Sequence, residues 1–469
     1  MSEPRPLWDL TGLQLAQRYR SGQARPSDAV SAIRHRIGAL NPAINAIIAQ
    51  DDEALEEAVQ ASDARWQAGL PLSPLDGVPI TIKDNIHARG LPARWGSRAH
   101  EHDRADTDEP AVRRLRAAGL VVLGKTNVPE FTFQGYTDNA LFGPTFNPLA
   151  PGRTPGGSTG GGAAAVAAGF GPIAIGTDGG GSVRRPAAHC GLWGFKPSIG
   201  TIGRADGFPA ILHDFEVIGP IARDAADLAA VLAILAGPDD ADPRTRGAFN
   251  EAAPLPVRPR ILAFDTVGDA PVDRTVAAAF ARFIQRLEGL AWPVTRAAEP
   301  FDAARTGAVW QTIAQAGLAW HVGRHLAGRQ IGENARKAVE AGMALSSADY
   351  LDAISGAQQL RTEARDAFEH ADLLISPTVA ALAWDARQPY PETIDGQPVG
   401  PRGHAIFTAW ANVAGLPALN VPLALTEDGG GIGVQIIAAP GRDRALIDFA
   451  SSVLSPLAHA PLIPSRILP

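Results

Sequence analysis

Gly156-Gly157-Ser158-Thr159-Gly160-Gly161 and Gly176-Thr177-Asp178-Gly179-Gly180-Gly181-Ser182-Val183-Arg184 are two glycine-rich segments whose serines, Ser158 and Ser182, stand 24 positions apart. Glycine at this density lets the backbone turn tightly and aim several N–H groups at one point, because no Cβ blocks the approach. Upstream, Gly77-Val78-Pro79-Ile80-Thr81-Ile82-Lys83-Asp84-Asn85 reads as a buried strand that delivers Lys83 at its carboxyl end. The pattern continues on either side. Pro110 to Ala118 reads as a helix and Val121-Val122-Leu123 as a strand. They are followed by a helix over 162–168, a strand at Ile173-Ala174-Ile175, a helix over 225–235 and a strand at Ile261-Leu262-Ala263-Phe264. Strands alternating with helices predict an α/β fold, with a mainly parallel sheet covered by helices on both faces.

The first seventy residues read as helices. Thr11 can cap a first one that stops near Gly22. Pro26-Ser27-Asp28 opens a second that ends before Asn41-Pro42, and a third runs from about Glu53 to Gly69. Residues from about 302 to 370 are mainly helical, and the chain then returns to strands at Leu373-Leu374-Ile375, Leu419-Asn420-Val421 and Gly433-Val434-Gln435-Ile436-Ile437 before a last helix. No internal repeat or long linker interrupts this. One domain over 1–469 is expected, with an amino-terminal helical segment over 1–70, a core over 76–223 and a helical elaboration over about 302–370.

With 45% hydrophobic and 19% charged residues over 469 positions, the composition is that of a soluble globular chain with an ample core. A net charge of −7, with basic residues only in short clusters such as Arg34-His35-Arg36 and Arg113-Arg114, argues against a nucleic-acid partner. Met1-Ser2-Glu3-Pro4-Arg5-Pro6 lacks the pattern of a secretory signal, so a cytoplasmic location is expected. The charge-free run from Thr154 to Thr177 is mostly Gly and Ala with Pro155 and Pro172 inside it, which predicts close backbone packing and no membrane span. A lone Cys190 excludes an internal disulfide and reads as a small buried side chain. His321 and His325 have i,i+4 spacing without the glutamate of a zinc-protease helix, so no metal and no cofactor are expected.

The three segments together, in order, spacing and flanking residues, resemble the amidase signature family, serine hydrolases with a Ser-Ser-Lys triad. The resemblance extends to the stretches Leu123 to Phe131, Phe142 to Pro148, Cys190 to Pro197 and Gly415 to Pro422. It is strongest over about 76–223 and weakest over about 245–370. It implies the family's large mixed sheet and its stand-alone amidase branch. It also implies the roles of Ser182 as nucleophile, Ser158 as proton relay and Lys83 as base, with the N–H groups of Gly179, Gly180, Gly181 and Ser182 as oxyanion hole. A cis Gly157-Ser158 peptide comes with the same resemblance. One departure is Thr159, where the family has serine, although the hydroxyl is kept. Asp178, Arg184 and Thr159 are expected around the triad, holding the loop.

Such a set matches what amide hydrolysis needs: an activated nucleophile, a site for the developing oxyanion and an acid for the departing nitrogen. Lysine can serve only as a neutral amine, which burial favours, and catalytic lysines reach a pKa of roughly 7–8. Gly156-Gly157-Ser158-Thr159-Gly160 also satisfies the nucleophile-elbow pattern G-x-S-x-G, yet Pro151-Gly152-Arg153-Thr154-Pro155 before it reads as loop where that motif needs a strand. The glycines after Gly160 lack the lysine of a phosphate-binding loop. Two related functions share the triad: cleavage of carbamates or esters, and glutamine hydrolysis by the A subunit of a tRNA-dependent amidotransferase. The expected partner is a small-molecule amide or carbamate, with a homodimer left open. Apolar candidates for its pocket are Phe131, Phe133, Phe142, Phe208, Ile211 and Trp410.

Overall fold

The structure, a computed structural model, describes residues 5–247, 254–459 and 464. Residues 1–4 of the amino-terminal stretch, read above for a targeting signal, lie outside them. Helix α1 (Gly12–Arg20) begins where the sequence predicts: Thr11 Oγ1 accepts the Gln14 N–H at 3.3 Å, and the Gln14 side chain accepts the Thr11 N–H at 3.1 Å. This reciprocal cap satisfies two otherwise orphaned donors. Helix α2 (Pro26–Ile44) runs past Asn41-Pro42, where the sequence predicts a stop. Pro42 removes a hydrogen bond only from the carbonyl of Gly38, an exposed residue open to water, and Asn45 ends the helix in the left-handed conformation at φ 57°. Strand β1 (Ile47–Ala49) and α3 (Asp52–Gln67), capped by Asp51, complete this segment.

The other strands of the main sheet are β2 (Pro79–Lys83), β3 (Val121–Thr126), β4 (Ile173–Asp178), β5 (Trp193–Lys196), β6 (Val217–Ala222), β7 (Ile261–Ala263), β8 (Val294–Arg296) and β9 (Leu373–Pro377). After a separate hairpin of β10 (Thr393–Ile394) and β11 (Gln397–Pro398), β12 (Ala418–Leu425) and β13 (Gly431–Ile437) rejoin it. The eleven strands run in the order β1-β3-β2-β4-β6-β5-β12-β13-β9-β7-β8. This is the large mixed sheet expected. Its parallel pairing lies in two blocks, β3-β2-β4 and β9-β7-β8, while the strands between them and β1 pair antiparallel. The connections explain the division: a tight turn joins β12 to β13, and a helix-free loop over 197–216 lets β6 return antiparallel between β4 and β5.

Along each strand, alternate side chains face opposite sides of the sheet. Ile80, Ile82, Ile173 and Ile175 pack on one side with α1, α4 (Pro110–Ala117) and further helices introduced next. Ala174 and Ile221 pack on the other, under α5 (Gly160–Ala167) and α6 (Arg184–His189). Helices α7 (Ala225–Leu235) and α8 (Arg274–Gly289) join the first layer. The second is extended by α9 (Ala303–His325), α10 (Glu333–Met343), α11 (Ser347–His370) and α12 (Ala409–Val413), and α13 (Asp443–Phe449) returns to the first. Every residue of α5 is buried. A Cβ at Gly161 would lie 2.5 Å from the Asn127 backbone N and O, so the Gly/Ala run serves close backbone packing as predicted. Among the described residues no helix is long and apolar enough to cross a membrane.

Candidate active site

β2 and β4 are parallel neighbours with Ile82 opposite Ile175, so their carboxyl ends lie side by side. Lys83, at the end of β2, is fully buried. Its Nζ is hydrogen-bonded to Ser158 Oγ at 2.9 Å, to Thr177 Oγ1 at 2.8 Å and to Thr177 O at 3.1 Å. As a neutral amine it can donate both hydrogens to Thr177 and leave its lone pair for the Ser158 O–H. Burial dominates its ionisation and lowers its pKa to about 7, against a partial upward pull from Glu216 and Asp178. The amine therefore has a proton-free population near neutrality.

Ser158 stands immediately before Thr159, which caps α5, after an irregular stretch whose only pairing is a single bridge of Arg153 to Asp385. The nucleophile-elbow alternative thus lacks its strand. The Gly157–Ser158 peptide is cis, as the family resemblance implies. Thr159 bridges the two loops: its N–H donates to Ser182 O at 3.1 Å and its Oγ1 donates to Thr177 O at 3.1 Å. The hydroxyl that replaces the family's serine is thus engaged. Ser158 and Ser182 are held side by side by that backbone bond, and no side-chain hydrogen bond joins their hydroxyls here. Such contacts commonly tighten only once substrate is bound.

Ser182 follows β4 in a turn organised by a buried ion pair. Arg184 Nη2 lies 2.9 Å from Asp178 Oδ1 and Arg184 Nε donates to Asp178 Oδ2 at 3.0 Å, both side chains having no exposure. Burial alone would raise the Asp178 pKa, but the Arg184 charge and hydrogen bonds outweigh it and hold the carboxylate well below its usual range. The guanidinium continues to Thr408 O at 3.0 Å and Asn412 Oδ1 at 2.6 Å, tying the turn to α12. Asp178 Oδ1 also accepts the Gly181 N–H at 2.7 Å. That corrects one expectation: the Gly181 donor points at a carboxylate and is not available to an oxyanion. Gly181 still needs to be glycine, since its φ is 112° and a Cβ there would collide with Thr408. The N–H groups of Gly179, Gly180 and Ser182 have no acceptor among the described residues.

Ser182 opens on a cavity of about 510 Å³. Of the six apolar residues expected around it, Phe133 lines the cavity and five lie elsewhere. Phe131 packs edge-on against Trp95 at 5.6 Å, Phe142 sits under Arg94, and Phe208 stacks on Trp95 at 4.5 Å. Ile211 is buried beside the lining residue Leu212, and Trp410 stacks on Phe301 at 4.7 Å. Phe131, Ile211 and Trp410 belong to a buried core cluster, Phe208 packs half-buried against it, and Phe142 is half-buried outside it. The wall is completed instead by Trp310, Arg185, Arg402, His404 and Glu216. Trp310 Nε1 donates to Gly179 O at 2.6 Å, which fixes the turn from the α9 side. Adjacent arginines 184 and 185 beside one Asp178 were a legible sign that the second needs another role; nothing local marks Trp310 or Arg402. Cys190 is buried, with its thiol pKa raised by burial, and His321 packs against Trp95 and His100; neither lines this cavity.

Residues 28–447 match the Amidase family. An acylamidase of Rhodococcus erythropolis is 34% identical over 464 residues, covering 96% of either chain. The A subunit of the glutamyl-tRNA(Gln) amidotransferase of Thermus thermophilus is 34% identical over 482 residues, covering 96% of this chain and 98% of that one. Among solved structures, a bacterial aryl acylamidase belonging to the amidase signature enzymes matches with a TM-score of 0.85 at 26% identity, covering 96% of each chain.

Proposed function

The chain belongs to the amidase signature family, hydrolases of amide C–N bonds, and we propose that it acts on small amides through Ser182, Ser158 and Lys83. Ser182 Oγ attacks the amide carbonyl carbon as its proton passes to Ser158, whose own proton passes to Lys83 Nζ. The negative charge on the carbonyl oxygen is met by the N–H groups of Gly179, Gly180 and Ser182. Losing one such donor typically costs about 10²–10³ in rate. Collapse of the adduct breaks the C–N bond, and the proton returns through Ser158 to the departing nitrogen. Water then repeats the sequence on the acyl-enzyme, releasing the carboxylate and restoring Ser182. Carbamates and esters would pass through the same acyl-enzyme and form the second substrate class. A small molecule taken from the cytoplasm goes with this reading.

The observation that carries the proposal is the buried Lys83 amine 2.9 Å from Ser158 Oγ, with burial holding its pKa at about 7. Likeness to the amidotransferase subunit supports a second reading, glutamine hydrolysis. Glutamine carries an α-ammonium beside its carboxylate, and the one carboxylate in the cavity wall that could meet that cation, Glu216, is already hydrogen-bonded by Arg204. A small amide without that cation suits the wall better. A fluorophosphonate probe followed by peptide mass mapping tests the assignment. Label is expected on Ser182 and lost, together with turnover, in Ser182→Ala with an unchanged circular dichroism spectrum. Label on Ser158 with Ser182 untouched would overturn it.

A further inference from the structure

Two buried arginines, Arg184 and Arg185, and two half-buried ones, Arg204 and Arg402, lie in or near the site, and two of the four lack an anionic partner among the described residues. Arg184 is paired with Asp178, and Arg204 with Glu109 and Glu216. Arg185 is 4% exposed, yet its guanidinium reaches only the carbonyls of Gly181 at 3.3 Å and Gly157 at 3.4 Å and the His404 ring at 3.4 Å. Arg402 has neither an ion pair nor a hydrogen-bond acceptor among the described residues. Its guanidinium carbon lies 3.8 Å over the Trp310 ring. Stacking uses the face of a guanidinium and leaves its edge N–H groups for a planar acceptor.

Both groups line the cavity that Ser182 opens on, whose single carboxylate is the already bonded Glu216. Burying a cation without a partner is unfavourable, and an anion seated between such groups removes the penalty. The ionisation of the empty site agrees: burial lowers the Arg402 pKa to about 10, and burial together with the Arg402 charge lowers that of Arg185 to about 9. Phe133, Leu212 and Trp310 supply an apolar stretch beside the guanidinium edge.

We infer that the substrate is an amide that also carries a carboxylate, held in this cavity by Arg402 with Arg185 beside it. The inference rests on the amidase reading for its chemistry, and on the two unpaired guanidinium groups for the carboxylate. The class comprises mono-amides of dicarboxylic acids that lack the α-ammonium of glutamine, with the charge on the acyl side, and N-acyl aminobenzoates, with the charge on the amine side.

Two matched pairs test it with purified full-length protein: 4-nitrosuccinanilic acid against its methyl ester, and 4-butyramidobenzoic acid against its methyl ester. In at least one pair the acid should exceed the ester in kcat/KM by roughly 10- to 100-fold, as a charge-assisted bidentate contact gives, mainly through KM. The pair that does so identifies the side that bears the charge. Arg402→Gln should bring that ratio close to one, whereas Arg402→Lys should keep part of it, retaining charge without the planar fork. Calorimetric binding of glutaric acid monoamide to Ser182→Ala separates this inference from the triad assignment. Binding that Arg402→Gln abolishes in that background sustains the carboxylate site even if no amide turns over. Acid-to-ester ratios of one or less in both pairs, or a preference that survives Arg402→Gln, overturn it.

Discussion

Replacing Lys83 by Met keeps the volume and apolar stem of the side chain and removes its titration. Burial takes this amine from 10.5 to about 7. At about 1.4 kcal/mol per pKa unit, the site disfavours the ammonium form by roughly 5 kcal/mol. At pH 7 about half of the enzyme then carries a neutral Lys83, against about one molecule in 3,000 for a solvated lysine. kcat/KM for an anilide should therefore rise tenfold per pH unit up to about pH 7 and level off above it. Lys83→Met should lower kcat/KM by about 10²–10⁴ and erase that limb. The histidine of the cavity wall, His404, cannot imitate it, because burial, then Arg185 and Arg402, push its pKa well below 6.5.

Stability supplies an independent readout of the same substitution. Below pH 7 both folded and unfolded chains protonate Lys83, so its burial penalty is fully present and stability does not vary with pH on its account. Between about 7 and 10.5 the unfolded chain holds a proton that the native one lacks, so stability rises with pH. The Met variant should thus be more stable below pH 7 by roughly 1–3 kcal/mol, the burial penalty less the lost hydrogen bonds, with the difference fading towards alkaline pH. Urea denaturation of both proteins across the range measures it. A variant with near-native kcat/KM and an unchanged acid limb refutes the assignment of Lys83 as base.

The other expectations are simpler. Arg184→Met leaves Asp178 buried without its partner and should destabilise the fold by about 3–5 kcal/mol, read as a lower urea midpoint, with activity lost as the Ser182 turn loosens. The chain alone should hydrolyse small anilides faster than glutamine, measured as released aniline against released ammonia. Glutamine-specific hydrolysis appearing only with added partner subunits would transfer it to the amidotransferase reading.

Much of the fold follows from interactions between residues a few positions apart. The Thr11 cap, the strand ending on Lys83 and the small-residue helix over 160–167 are local matters of capping, alternation and steric bulk, and each is visible in the neighbouring letters. Even the withdrawal of the Gly181 N–H has a local sign, since Asp178 three residues earlier can accept it in a tight turn. The parallel or antiparallel sense of each strand pair is less local. It depends on whether a helix, a hairpin or a bare loop returns the chain, so the alternation around β2 to β4 is informative there and silent for β5, β6, β12 and β13.

Lys83, Ser158 and Ser182 are determined by the sequence as members of motifs, and their juxtaposition follows from β2 and β4 being adjacent and parallel. The wall of the cavity is another matter. Trp310 comes from α9 and Arg402 from the loop after β11, 128 and 220 positions beyond Ser182. Phe131, Phe142, Phe208, Ile211 and Trp410 are as apolar as Phe133, yet lie outside that wall. An apolar side chain satisfies a core and a binding cavity equally well, and a guanidinium shows that it is unpaired only when every segment that could bring it a carboxylate has been placed. Motif and period therefore single out Lys83, Ser158 and Ser182, the proposed reacting groups, in the sequence itself, while the cavity's shape and charge are decided by tertiary packing, which brings distant segments together and leaves Arg185 and Arg402 without a counter-ion among the described residues.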